Sequence, residues 1–139
     1  MLKQVYYFAN LPYSTRETIH YKFISENYEK GAKIFEQGQE CKSMYFIVSG
    51  KIELVIEKEN KDHVLDILPP GTVIGAYSLI NENPFKFTAK AHSNLHLLLL
   101  SWDDIIDIAD NDTDLHNAIE DATEYIFNNE VPICDYNAI

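Results

Sequence analysis

Between Tyr28 and about Leu100 the apolar residues come in short runs cut by turn residues. Met44-Tyr45-Phe46-Ile47-Val48 is a β-rich run stopped by Ser49-Gly50. Ile52, Leu54 and Ile56 then alternate with Glu53, Val55 and Glu57, nearly a period of two, as in a strand with one wet face. Glu59-Asn60-Lys61-Asp62 reads as a polar turn. Val64, Ile67 and Leu68 read as the next strand, and Pro69-Pro70-Gly71 ends it. Leu95 to Leu100, broken only by His96, reads as a strand buried on both faces.

The flanks follow a different period. Residues 1–27 read as a helical lead-in: Ser14 is a candidate N-cap with Glu17 close behind, and Ile19, Phe23 and Ile24 recur at helical spacing. Phe8, Leu11 and Tyr13 are expected to pack ahead of it. Residues 101–128 read as two helices. Ser101 caps the first, whose opening turn holds Asp103 and Asp104 against the positive helix end. Asn111-Asp112-Thr113-Asp114 interrupts it. Leu115, Ala118, Ile119, Ala122, Tyr125 and Ile126 then form the apolar stripe of the second. Pro132 stops any continuation, leaving a tail at 129–139. The expected architecture is a single domain over 1–139, mainly β with flanking helices. It comprises a double-stranded β-helix jelly roll of about eight short strands at 28–100, the N-terminal lead-in and two C-terminal helices.

Composition narrows the function classes. The chain of 139 residues is 46% hydrophobic, enough for a core, and its 22 acids against 11 bases give a net charge of -11. That excess disfavours nucleic acid and anionic membranes, both of which need a basic face. No apolar run approaches the ~18 residues of a membrane span, and Met1 to Leu11 lacks the pattern of a signal peptide. Cys41 and Cys134 have no metal-type spacing and read as reduced thiols. The expected location is the cytoplasm, or the cytosolic face of a membrane protein. Five histidines (His20, His63, His92, His96 and His116) give no metal-ligand pattern. On a strand, His92 and His96 would stand about 13 Å apart. Ser49, Ser78 and Ser101 lack a nucleophile context. The chain is not expected to be an enzyme.

The glycines carry the sharpest signal. Tyr28-x-x-Gly31-x-x-Ile34-Phe35-x-x-Gly38 is followed by Met44-Tyr45-Phe46-Ile47-Val48-Ser49-Gly50-Lys51-Ile52-Glu53-Leu54. Leu68-Pro69-Pro70-Gly71-Thr72-Val73-Ile74-Gly75 comes next. The spacing from about Leu2 to Ile126 resembles the cyclic-nucleotide-binding domain family of channels, kinases, exchange factors and bacterial regulators. The resemblance implies a β-roll with a phosphate-binding cassette, in which backbone N–H groups at a helix start face the cyclic phosphate. It also implies an acid directly after the glycine for the ribose hydroxyl, an arginine after a proline for the phosphate, and a C-terminal helix as a lid.

The cassette here runs from Ile74 to Ala91. Gly75, Leu79, Pro84 and Thr88 fit the family pattern, whereas the acidic position is Ala76 and the arginine position is Phe85. The candidate ligand-contacting residues are Gly75, Ala76, Tyr77, Ser78, Phe85, Lys86, Phe87 and Thr88. A hydrogen bond to a charged group contributes roughly 1.5–3 kcal/mol, so losing both anchors costs about 3–6 kcal/mol, or about two to four decades of affinity. Lys86, Lys90 and Glu82 are the residues nearest to substitutes, although strand alternation points Lys86 away from the arginine's direction. Phe85 is expected to fill part of the pocket and Phe87 to pack in the core. Some channels of the family fill the pocket with their own tail through an aromatic-Asn-aliphatic segment, which Tyr136-Asn137-Ala138-Ile139 loosely resembles. The expectation is a regulatory module with a degenerate pocket, coupled to a parent channel, kinase or scaffold, that binds cyclic AMP or cyclic GMP weakly or not at all. The alternative is a sensor for a cyclic nucleotide, or another small anion, through non-standard contacts.

Overall fold

The computed structural model describes residues 11–75 and 83–121, together with the backbone of 122–128 and 136–137. Helix α1 (Tyr13–His20) leads into β1 (Ile24–Tyr28), β2 (Lys33–Phe35), β3 (Ser43–Ser49), β4 (Ile52–Lys58), β5 (Lys61–Leu68), β6 (Val73–Ile74), β7 (Thr88–Ala91) and β8 (Leu95–Ser101). Helices α2 (Trp102–Ala109) and α3 (Thr113–Asn128) follow, and a short β9 (Tyr136–Asn137) returns to the sheet. The strands form two antiparallel sheets, β1-β8-β3-β6-β9 and β2-β7-β4-β5. This is the expected jelly roll with flanking helices.

Register assigns the faces. Tyr45 lies opposite Leu99 and Ile74, and its ring centroid is 5.3 Å from that of Phe35 on the other sheet, so this row points into the roll. Phe46, one residue on, lies opposite Leu98 and Val73 and meets Phe23 edge-on at 5.1 Å, so it points to the helical side. Ile19, Ile105 and Leu115 bring α1, α2 and α3 into the same buried cluster. Ser101 ends β8 and caps α2, its hydroxyl accepting the Asp104 N–H at 3.1 Å. This cap was readable as a polar residue before an acidic first turn.

Several expectations are corrected. Among the described residues of the lead-in the helix is Tyr13–His20, and Ser14 lies inside it rather than capping it; Pro12 occupies the N-cap without a side-chain bond. Ile24 belongs to a strand and is exposed, because pairing with β8 outweighs a helical spacing of three residues. Tyr13 is 69% exposed, whereas Leu11 is buried as expected. In β4, Val55 is buried alongside Leu54, so the simple alternation fails there. The adjacent strand slips between Leu54/Asp66 and Val55/Val64, leaving Leu65 as an extra residue in a bulge. Val64 and Ile67 are exposed on this edge strand and only Leu68 turns into the core. In β8, Leu98 and Leu99 are only partly buried. The polar turn is tighter than read: Glu59 and Asn60 alone make it, at φ 56 and 61, and Lys61 already begins β5.

Gly50 shows why the glycine spacing is informative. At φ 83 it carries the β3–β4 turn past the β7–β8 turn, and a Cβ there would stand 2.1 Å from the Asn94 carbonyl oxygen. No other residue fits that approach.

Candidate functional site

The cassette is entered through β6, two buried residues held on β3. Gly75 follows at φ 95, where a Cβ would stand 2.9 Å from the Ser43 carbonyl oxygen and 3.6 Å from Cε1 of Phe85. The chain thus passes β3 closely enough that only glycine is accommodated. The Cys41 thiol lies 3.5 Å from both the Gly75 and Ser43 carbonyls, sealing the same corner. Ala76, Tyr77, Ser78, Leu79 and Glu82 lie outside the described residues, as does Cys134.

The far side of the cassette is stitched to the turn after β2. The Phe85 N–H donates to the Gln39 carbonyl at 3.0 Å, and the Gly38 N–H donates to the Phe85 carbonyl at 2.8 Å. The Thr88 hydroxyl accepts from the Gln37 N–H at 3.0 Å. These bonds set the alternation of the segment. Phe85, Phe87 and Ala89 are buried, Lys86 is exposed and Lys90 is partly exposed.

Phe85 sits at the position where the family pattern places its arginine. It is 2% exposed and its ring stacks on Phe35 at a centroid distance of 3.6 Å and an interplanar angle of 11°. Tyr45 stands 6.1 Å away across the roll, and Phe87 lies 6.1 Å from Phe35. Phe85 and Phe87 are therefore both core residues, where the sequence reading had separated their roles. Such an aromatic pair contributes about 0.5–1.5 kcal/mol beyond the area it buries.

Neither lysine reaches inward. Lys86 is exposed on the side opposite Phe85. Lys90 stands on the outer face beside Glu53 and is paired with Asp62, Nζ to Oδ2, at 3.1 Å. Its charge is already engaged away from the roll interior.

The polar groups on the inner rows have a different character. Glu26 lies opposite Leu97, on the same face as Tyr45 and Tyr28, and its carboxylate accepts the Tyr28 hydroxyl. Burial raises the Tyr28 phenol above its ordinary value, with the bond to Glu26 and its charge adding to the shift. Burial also pushes Tyr45 up to about 12, with Cys41 and Glu26 contributing. Both phenols are neutral donors at physiological pH. This face of β1, β3 and β8 carries an acid and two phenols, and none of these three strands holds a lysine or arginine. That arrangement suits a hydrogen-bond donor better than a phosphate. Sequence reasoning missed Phe35 as the partner of Phe85, although it sits inside the glycine pattern. It also missed Glu26, Tyr28 and Tyr45, whose alternate placement on two strands was the available signal.

The tail, read as loosely similar to a pocket-filling segment, enters the structure at two residues. Tyr136 and Asn137 pair with Ile74 and Val73, so β9 lies against β6 immediately before Gly75. Ala138 and Ile139 fall outside the described residues.

Comparison with known proteins agrees with this geometry. Residues 25–112 match the family described as the cyclic nucleotide-binding domain. The chain is 32% identical over 90 residues to a cAMP-dependent protein kinase regulatory subunit of Debaryomyces hansenii, covering 65% of this chain and 19% of that protein. It is 31% identical over 80 residues to the cyclic AMP receptor protein of Thermus thermophilus, covering 57% of this chain and 37% of that protein. It thus spans well under half the length of either relative. Among solved structures, the N-terminal domain of a Streptomyces coelicolor A3(2) transcriptional regulator superposes with a TM-score of 0.78 at 20% identity. That match covers 88% of this chain and 86% of the other. A structure described as cAMP-bound PfPKA-R superposes at 0.71 with 30% identity, covering 77% and 38% respectively.

Proposed function

This chain belongs to the cyclic nucleotide-binding domain family, and from that premise we propose that it is a regulatory module whose pocket has lost its grip on the cyclic phosphate. In this reading it is a structural or interaction domain of a larger signalling protein or ion channel, acts in the cytosol and catalyses no reaction. It binds cyclic AMP or cyclic GMP weakly or not at all. The observation that carries the reading is the buried Phe85 ring stacked on Phe35 where the family pattern has arginine. A cyclic phosphate brought there would be stripped of water and meet an aromatic face instead of a guanidinium, and desolvating an unpaired charge costs several kcal/mol. The carboxylate of Glu26, on the same face as Tyr45, adds repulsion. Among the described residues no helix is long and apolar enough to cross a membrane.

Calorimetric titration of the chain with cyclic AMP and cyclic GMP tests the proposal. No saturable heat is expected below about 1 mM, since the two absent anchors are worth about 3–6 kcal/mol together. The double variant Ala76→Glu, Phe85→Arg should gain at least about a hundredfold in affinity, provided its thermal melt shows a folded roll. Micromolar binding by the unmodified chain would refute the reading.

A further inference from the structure

Helix α1 and the turn that opens α3 meet through two residues 97 positions apart. The Thr15 hydroxyl on α1 donates to Oδ2 of Asp112 at 2.7 Å, and Oδ1 of the same carboxylate accepts the Leu115 N–H at 3.1 Å. Asp112 lies in the turn between α2 and α3. Its own N–H donates to the Ala109 carbonyl at 3.3 Å and its carbonyl accepts the His116 N–H at 3.0 Å. Thr15 is 2% exposed, so its hydroxyl has no recourse to bulk water. Beneath this junction Ile19, Ile105 and Leu115, one from each helix, are fully buried in one apolar cluster.

The first turn of a helix leaves N–H groups without partners, and an aspartate at the cap satisfies one while placing negative charge at the positive helix end. Here that carboxylate is shared. One oxygen serves α3 and the other holds α1, so the side-chain geometry that caps α3 is fixed in part by a residue on another helix. Releasing Thr15 frees the carboxylate to rotate, and loosening α3 removes the acceptor from a buried hydroxyl. Bonds linked in this way reinforce one another.

We propose that Asp112 is a shared anchor that makes the docking of α1 and the ordering of the first turn of α3 a single event. The coupling does not depend on what the pocket binds.

Amide hydrogen exchange on the full chain reads it out. Thr15→Val keeps the side-chain volume and removes only the hydroxyl. It should speed exchange at Leu115 and His116 about tenfold or more, together with the amides of α1, while the Leu97 amide in β8 keeps its rate. Thr15→Ser should restore the unmodified pattern. Adding Thr15→Val to Asp112→Ala should change α1 no further than Asp112→Ala does alone. Faster exchange confined to α1, with α3 unaffected, would overturn the proposal. So would a serine variant that behaves like the valine one. If Thr15→Val fails to fold, Asp112→Ser decides the matter. Serine caps a helix as well as aspartate does but offers one short hydroxyl in place of two carboxylate oxygens, so faster exchange in α1 supports the shared anchor and an unchanged α1 refutes it.

Discussion

Strands β8 and β5 are of similar length and each holds at least four branched apolar residues, yet their surroundings are opposite. β8 lies between β1 and β3, with Leu97 turned into the roll and Leu100 turned towards the helices, both fully buried. β5 is an edge strand in which Lys61 through Ile67 are all exposed, Val64 at 55%. Hydrophobic content alone therefore does not place a strand in the core; cover on the second face does. The edge is protected in other ways. Leu65 forms a bulge, Asp66 Oδ1 accepts the Ile67 N–H at 2.8 Å, and Lys61 adds charge, all devices that discourage pairing with another chain. The cassette joins the two regimes. Phe85 leads into β7 of the sheet with the wet outer face, and its ring stacks on Phe35 of that sheet while facing Tyr45 on the doubly covered one.

The largest effect should come from removing the aromatic centre. Phe35→Ala deletes the partner of Phe85 and leaves a cavity between the sheets, at a cost of about 3–5 kcal/mol in urea unfolding. Ile67→Ala, on the exposed edge, should cost less than about 1 kcal/mol. Equal losses from the two variants would break the comparison, because they would show that the exposed edge at Ile67 is covered as thoroughly as the aromatic centre of the roll.

Ser101→Ala tests the helical cover itself. Ser101 joins β8 to α2, and losing its cap should cost about 1 kcal/mol. A melting temperature unchanged by the substitution would mean that apolar contacts alone hold α2. This junction was legible in the sequence because it rests on local chemistry: a serine, two acids and an apolar run. The glycine pattern was legible for the same reason, since Gly50 and Gly75 are demanded by backbone contacts that exclude any Cβ. The stack of Phe85 on Phe35 was not, because the two rings lie fifty positions apart and it is the backbone bonds of Phe85 to the Gly38-Gln39 turn that bring the two segments together. Ile24 misled for a related reason: three residues at helical spacing say nothing of a strand 75 positions away that pairs with them. The exposure of Val64, Leu65 and Ile67 on β5 was not legible either, because a single sequence does not show which strand lies at an edge.

The smallest effect is expected on the wet face of β7. Lys90 and Asp62 form an ion pair at 3.1 Å with side chains 31% and 56% exposed. Water screens such a pair, and the side chains give up rotamer freedom to form it, so a double-mutant cycle of Lys90→Met and Asp62→Asn should return a coupling of about 0–1 kcal/mol that shrinks in added salt. A coupling above about 2 kcal/mol would place the pair in a drier setting than its exposure indicates and weaken the contrast between the sheets. The same Lys90→Met variant also bears on the pocket. An outward lysine contributes nothing to a phosphate inside the roll, so titration with millimolar cyclic AMP should give the same trace with and without it. A loss of heat on removing Lys90 would mean that this side chain swings through the sheet edge to the ligand, and the outer face of β7 would then be part of the site.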